Sequence, residues 1–328
     1  MTLKIAIVGT GKVARNNYLP YLAEQPDVTL SYYSRTPAKA HACAVDFGGR
    51  VMNTLPEIIA DQPDAVLVLT REEQRYDVTV ELIRLKPKRL FFEKPLVAQH
   101  GQDKVCEDDF IKARDLMRKA NIAGVETAMV FNYRFFDQTQ RALQMVRDRH
   151  FGSMLQAALF VNYACWSHCI DLLHLFGGRA VRISAFSGDI AYQNAVDVTA
   201  AFILENGTTG SIVGTNGCDF NFPLYIMIFN YQHGLLHFSD LDVDLRVYET
   251  NTRYAESHTV TGHHSRWDQY KISFEKSLGA YLESLRKGTL PPVPGTAGLE
   301  ELQFEAALRR SITLQRPVDV QKEFPLEI

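Results

Sequence analysis

The sequence predicts an α/β protein: a doubly wound parallel sheet first, then a strand-rich, mostly antiparallel part. Three observations carry this reading. A short apolar, β-branched run, Lys4 to Val8, leads directly into Gly9-Thr10-Gly11-Lys12-Val13-Ala14 and a helix-like stretch to about Glu24. From there to about residue 130, extended and helical segments alternate, as they do where helices cover both faces of a parallel sheet. From about residue 155 consecutive strands are joined by short turns, which favours antiparallel pairing.

Each element of the first part has its own justification. The Lys4–Val8 run reads as a buried parallel strand. Strand, then G-x-G-x-x-A, then helix is the context of a dinucleotide-binding turn. Gly9 permits the tight turn, Gly11 admits a pyrophosphate close to the backbone, and Ala14 lets helix and strand pack. The phosphates would rest on the free N–H groups of the helix N-terminus, with Thr10, Lys12 and Val13 in the same turn. Val28–Tyr33 is a second strand, Pro37–Phe47 a helix, Glu57–Asp61 a short helix and Ala65–Thr70 a strand. Tyr76–Leu85 is helical, Leu90–Phe92 a strand, Phe110–Asn121 helical, and Ala123–Val130 contains the last strand of the series. Ligands of such sheets bind beyond the carboxyl ends of the strands. Gly9–Gly11, Ser34–Arg35, Thr70–Arg71 and Glu93–Lys94 all stand at those ends.

Residue 34 bears on the cofactor. A carboxylate at the end of the second strand would hold the adenosine ribose of NAD and repel a 2′-phosphate. Here Ser34, Arg35 and Thr36 follow Tyr33, and an arginine offers a phosphate a charge-assisted fork. NADP is therefore the expected cofactor, with NAD the alternative.

Composition narrows the classes. With 328 residues, 46% hydrophobic and 22% charged, the chain has the make-up of a soluble two-domain protein. A formal net charge of −3 gives no electrostatic case for nucleic acid. No apolar run reaches membrane-spanning length, and the N-terminus does not read as a signal peptide. Five cysteines form no disulfide framework, so a reduced, cytoplasmic setting is expected. Domain boundaries are read as 1–125 for cofactor binding and 126–328 for substrate binding and oligomerisation.

Glu93-Lys94-Pro95 at a strand end, Asn132-Tyr133-Arg134-Phe135, Gly152 before a long strand, and His168-Cys169-Ile170-Asp171-Leu172-Leu173 before Phe176-Gly177 follow the glycine motif in order. This set resembles the glucose–fructose oxidoreductase / inositol dehydrogenase (Gfo/Idh/MocA) family over nearly the whole chain. The resemblance implies a Rossmann domain followed by an α/β domain with a large open, mostly antiparallel sheet that often serves as an oligomer face. It implies that Glu93 and Lys94 meet the cofactor and that Lys94 reaches the nicotinamide ribose and the substrate oxygen. An ammonium there stabilises developing oxyanion charge. His168 matches the family histidine that works in proton transfer, and Arg134 and Asp171 are read as substrate contacts. Two departures stand out. The aspartate expected four residues before the histidine is Ala164, and the family's T-P-N-x-x-H stretch reads Thr70-Arg71-Glu72-Glu73-Gln74-Arg75.

In the second part the expected strands are Leu155–Asn162, Val181–Ser187, Thr199–Leu204, Thr209–Gly214, Leu224–Tyr231, Leu235–Phe238 and Leu245–Tyr248. Asn206-Gly207 and His233-Gly234 supply hairpin turns. Helices are expected at about Trp267–Lys287 and Thr296–Gln315, separated by Pro291–Gly295. Cys165, His168, Cys169 and His174 crowd one helix, but structural zinc draws on two separated ligand pairs, so no metal is expected. The functional expectation is an NADP-preferring oxidoreductase acting on a sugar-like or polyhydroxylated carbonyl or alcohol, assembled as a homodimer or homotetramer. The alternatives are an imine or enol-ether reductase on the same scaffold, and a catalytically silent, cofactor-sensing binding protein.

Overall fold

A run as apolar as Ile5–Val8 must be covered on both faces, and its strand lies at the middle of a six-stranded sheet. In the computed structural model, which describes residues 2–192, 195–217 and 221–328, the chain divides into two units. The first comprises Met1–Phe131, Phe274–Leu302 and Leu326–Ile328. Its sheet contains β1 (Leu3–Val8), β2 (Val28–Tyr33), β3 (Arg50–Val51), β4 (Ala65–Val68), β5 (Arg89–Phe92) and β6 (Glu126–Met129), in the order β3-β2-β1-β4-β5-β6. Every pair is parallel. Ile5 to Val8 and all of β4 are buried, as unbroken apolar strands in a helix-covered sheet should be. The helices of this stretch are α1 (Leu19–Ala23), α2 (Pro37–Phe47), α3 (Leu55–Ala60), α4 (Glu72–Arg84) and α5 (Glu107–Ala123). Strand order runs outward from β1 in one direction and from β4 in the other. Ligands bind at such a reversal, beyond the carboxyl ends of β1 and β4.

The helix after the glycine turn departs from the regular one expected. Ala14–Tyr18 forms a π turn before α1, and the Leu19 N–H bonds to the Ala14 carbonyl. Pro20 gives the physical reason: it has no N–H to offer the carbonyl four residues back, so the ladder widens there.

The second unit comprises Asn132–Ser273 and Gln303–Pro325. Along the chain come α6 (Asp137–Asp148), β7 (Met154–Asn162), α7 (Trp166–Gly177), β8 (Ala180–Tyr192), β9 (Ala195–Leu204), β10 (Thr209–Thr215), β11 (Tyr225–Tyr231), β12 (Gly234–Ser239), β13 (Asp244–Glu249) and β14 (Glu256–Thr259). Then follow α8 (Arg266–Lys287), α9 (Thr296–Leu314), β15 (Val318–Asp319) and α10 (Val320–Glu323). The nine strands run β14-β13-β12-β11-β7-β10-β9-β8-β15, antiparallel throughout except for the parallel pair β7–β10. Tyr225, Met227, Phe229 and Tyr231 of β11 are buried in strict alternation. Phe176 of α7 lies 5.0 Å from the Phe229 ring and 5.7 Å from Phe238, so this helix covers the inner face.

The boundary expected between residues 125 and 126 moves. Strand β6 pairs with β5 and belongs to the first unit, which also takes back Phe274–Leu302. A late helical segment carries no sequence mark of the sheet it covers. The short strands β3, β14 and β15 were also not anticipated, being too short to show a period, and neither was α6, although its buried Gln138, Thr139, Ala142 and Met145 recur at helical spacing.

Candidate active site

The glycine turn is built as its sequence demands. Gly9 has φ +100°, and a Cβ there would stand 2.6 Å from the Thr70 backbone nitrogen. Its N–H donates to the Tyr33 carbonyl at 2.9 Å, tying the ends of β1 and β2 together. Ala14 is fully buried, as close helix–strand packing requires. At Gly11 a Cβ would meet nothing within 4 Å, so the bare backbone faces open space. Among the described residues, the buried hydroxyls of Thr10 and Thr70 have no hydrogen-bond partner. Open space at Gly11 and two orphaned hydroxyls at the switch point are what a dinucleotide's phosphates and ribose would fill. The residues present fit the group.

Ser34 and Arg35 follow β2 at the same edge. Arg35 is exposed, and its guanidinium donates to the Gln74 side chain on α4. The Ser34 hydroxyl accepts from the Thr36 N–H at 3.3 Å. The cation expected for a 2′-phosphate is thus held at the surface by a neutral partner, with its charge uncompensated by this contact.

At the end of β5 the Glu93-Lys94-Pro95 turn contains a cis Lys94–Pro95 bond. Glu93 is buried, accepting from the Tyr18 hydroxyl at 2.8 Å and from the Lys94 N–H at 2.7 Å. Burial pushes its carboxyl above the usual range, against the nearby charges of Lys94 and Arg75. The Lys94 ammonium donates to the Gln102 side chain at 3.1 Å. Below the turn lies Arg75, only 2% exposed. Its Nη1 donates to the Glu93 carbonyl at 2.6 Å and also to the Pro95 carbonyl, while Nη2 donates to the Thr70 carbonyl at 2.7 Å. Sequence reasoning had passed over Arg75 and Tyr18. The available signal was the unusual Thr70–Arg75 stretch, which ends on this arginine.

The residues of the second unit gather around Tyr133. His168 in α7, 2% exposed, stacks on the Tyr133 ring with centroids 3.9 Å apart and planes at 14°. The Tyr133 hydroxyl and the Cys165 thiol lie within 3.3 Å. Burial, reinforced by Cys165, pushes the tyrosine hydroxyl well above its ordinary range, so it stays a neutral phenol. Arg134 and Asp171, both expected as substrate contacts, are brought together as a pair. The guanidinium donates to both carboxylate oxygens at 2.8 and 2.6 Å. Burial pushes Asp171 upward and the Arg134 charge opposes it. Asp171 is therefore occupied in bracing α7 against the Asn132–Phe135 turn. Ala164 donates its N–H to the Asn162 side chain at 2.9 Å, in a short turn that leads into α7. One turn beyond His168's neighbours, His174 is pushed down to about 3 by burial, with Arg134 and Arg179 adding to the effect.

Among the described residues no group of three His, Cys, Asp or Glu could hold a metal ion. Among the described residues, Cys43, Cys106, Cys165 and Cys169 form no disulfide. No helix of the described residues is long and apolar enough to cross a membrane.

Comparison with known proteins agrees with this geometry. Residues 3–107 match the Gfo/Idh/MocA family model, described as an oxidoreductase family with an NAD-binding Rossmann fold. A search of curated proteins found no match. Among solved structures, an oxidoreductase from Agrobacterium radiobacter, in complex with NAD+, L-tartaric acid and magnesium, superposes with a TM-score of 0.82 at 15% identity over 98% of this chain and 100% of that one. The WlbA dehydrogenase from Bordetella pertussis, in complex with NADH and UDP-GlcNAcA, gives 0.78 at 16% over 97% of each chain. UDP-N-acetylglucosamine 3-dehydrogenase GnnA from Acidithiobacillus ferrooxidans gives 0.75 at 16% over 96% and 99%. At such identities the likeness is one of fold, parallel sheet and mixed sheet alike. Residues 3–107, about a third of the chain, thus match the NAD-binding Rossmann domain of the Gfo/Idh/MocA oxidoreductase family.

Proposed function

We propose that the protein is an NADP-preferring oxidoreductase that transfers hydride to or from a sugar-like or polyhydroxylated carbonyl or alcohol. The observation that carries this reading is the gathering of Gly9–Gly11, Arg35, Thr70 and Glu93-Lys94-Pro95 at the carboxyl ends of one parallel sheet. In this reading residues 9–14 hold the pyrophosphate on backbone N–H groups. Ser34, Arg35 and Thr36 hold the adenosine 2′-phosphate, and Thr70, Glu93 and Lys94 meet the nicotinamide half. The bound nicotinamide supplies or accepts the hydride. Lys94 presents an ammonium to the substrate oxygen and offsets the charge that grows there as the carbonyl is reduced. His168 moves the proton to or from that oxygen. Tyr133 keeps the imidazole ring flat against its own, and the Arg134–Asp171 pair fixes the helix that carries it. The second unit takes the substrate and the assembly role. Phe160, Phe186 and Ile190 on β7 and β8 are exposed, and in this reading a second copy of the chain covers them.

Nicotinamide fluorescence provides the test. Addition of protein to NADPH and to NADH should change the emission of both, with tighter binding of NADPH. A library of aldoses, ketoses, cyclic polyols and imines then screens for oxidation or reduction. Binding without turnover of any member favours the silent, cofactor-sensing alternative, to which Ala164 also points. No binding of either cofactor removes both. Light scattering showing a monomer at micromolar concentration would remove the assembly role.

A further inference from the structure

The Glu93-Lys94-Pro95 turn does not hold itself. Three carbonyls from two strand ends, Thr70 after β4 and Glu93 and Pro95 after β5, converge on one side chain, the buried guanidinium of Arg75. Four features distinguish this from a surface contact. The group is 2% exposed, so its hydrogen bonds do not compete with water. Its planar fork matches acceptors that lie on two different strands, as an ammonium on a flexible stem cannot. Buried carbonyls left without a donor would each be costly. Finally, the buried Glu93 carboxylate beside it balances the charge and itself accepts from the Lys94 N–H and the Tyr18 hydroxyl.

We infer that Arg75 is a positioning residue for Lys94: by drawing together the Thr70, Glu93 and Pro95 carbonyls, it fixes the backbone on either side of Lys94 and so the direction of its ammonium. This rests on the functional reading above only for what the ammonium does, not for where it is held. The requirement is chemical and local. Removing the fork frees the Thr70, Glu93 and Pro95 carbonyls and with them the backbone on either side of Lys94.

The experiment follows the Lys94 nitrogen directly in the full chain. Reductive methylation with 13C-formaldehyde labels every lysine, and Lys94→Arg identifies the Lys94 line by its loss. In the unaltered protein that line is expected apart from those of exposed lysines, and it should shift on addition of NADPH or NADH. In Arg75→Met it should collapse onto the exposed-lysine position. In Arg75→Lys, which keeps the cation without the fork, it should fall between the two. With a turned-over substrate, Arg75→Met should lower kcat on the order of 10²-fold, the cost of misplacing a reacting group by about 1 Å. A Lys94 line unmoved in Arg75→Met overturns the inference, and should that variant fail to fold, an unmoved line in Arg75→Lys overturns it equally. A Lys94 line that depends on Arg75 but ignores both cofactors supports the positioning role and defeats the cofactor reading instead.

Discussion

Two side chains assigned to one reaction are held by opposite means in the two units. The Glu93–Lys94 turn is fixed by charged and polar donors, with Arg75 and Tyr18 reaching in from α4 and the π turn. His168 packs against a ring. It lies flat on Tyr133, which also meets Phe136 at 4.6 Å, Tyr225 at 6.0 Å and Tyr270 at 6.4 Å. The difference follows from the sheets. Parallel strand ends leave backbone carbonyls to be satisfied, and only donors can do that. The antiparallel sheet offers alternating apolar faces, on which a helix residue is placed by packing. A donor network fixes direction, whereas stacking fixes a plane and leaves the ring's charge state to its surroundings.

Four measurements test this contrast. The largest effect is expected at Lys94: Lys94→Ala should abolish turnover while nicotinamide fluorescence still reports binding. Wild-type turnover in that variant would remove the donor-held turn from the chemistry. Next, His168→Ala should lower kcat by about 10²–10⁴-fold, the usual contribution of a general acid–base group. A loss of melting temperature without loss of rate would make the ring-held histidine a packing residue. Third, Arg35→Ala should weaken NADPH binding by about 1.5–3 kcal/mol, the range for hydrogen bonds to charged groups, and leave NADH binding nearly unchanged. Equal losses for both cofactors would remove the 2′-phosphate role.

The smallest effect concerns pH and the second unit alone. His174 is depressed from 6.5 to about 3 in the folded chain, so the unfolded chain binds one proton more between those values. Its stabilising contribution is whole above pH 6.5 and is lost as pH falls toward 3. The slope should reach about 1.4 kcal/mol per pH unit for this single group. Urea unfolding at pH 7 and pH 5 should show His174→Leu with a flatter dependence than the parent, and equal slopes would contradict the assignment.

How much of this was legible in the sequence differs between the units for the same reason. The parallel sheet could be read strand by strand because buried runs such as Ala65–Val68 and the glycine motif at its switch point are local signals. Pro37–Phe47 was legible to the residue, with proline opening it and Gly48 closing it. The long β strands of the second unit were legible too, through Asn206-Gly207 and the alternation of Leu224–Tyr231. What stayed hidden depends on contacts distant in sequence. Arg75 meets Glu93 across 18 residues, and nothing local separates a helix arginine that is buried from one in water. Asp171 reads as a free carboxylate until Arg134, 37 residues earlier, is seen to occupy both its oxygens. Strand β6 is legible as the last of the alternating series, and its pairing with β5 keeps it in the parallel sheet.

The π turn after the glycine motif has a consequence for helical phase. The buried residues Ala14, Tyr18 and Leu22 recur at intervals of four. In a regular helix each such step overshoots a full revolution by roughly 40°, so the third residue would be turned away from the first by about 80°. A widened turn counts as one residue inserted without advancing the helix, which takes back roughly 100°. The three side chains then return to nearly one line. Read this way, Pro20 keeps a four-four spacing in register, so that a single-residue deletion between Arg15 and Asn17 combined with Pro20→Ala should leave a regular helix whose buried face is again continuous.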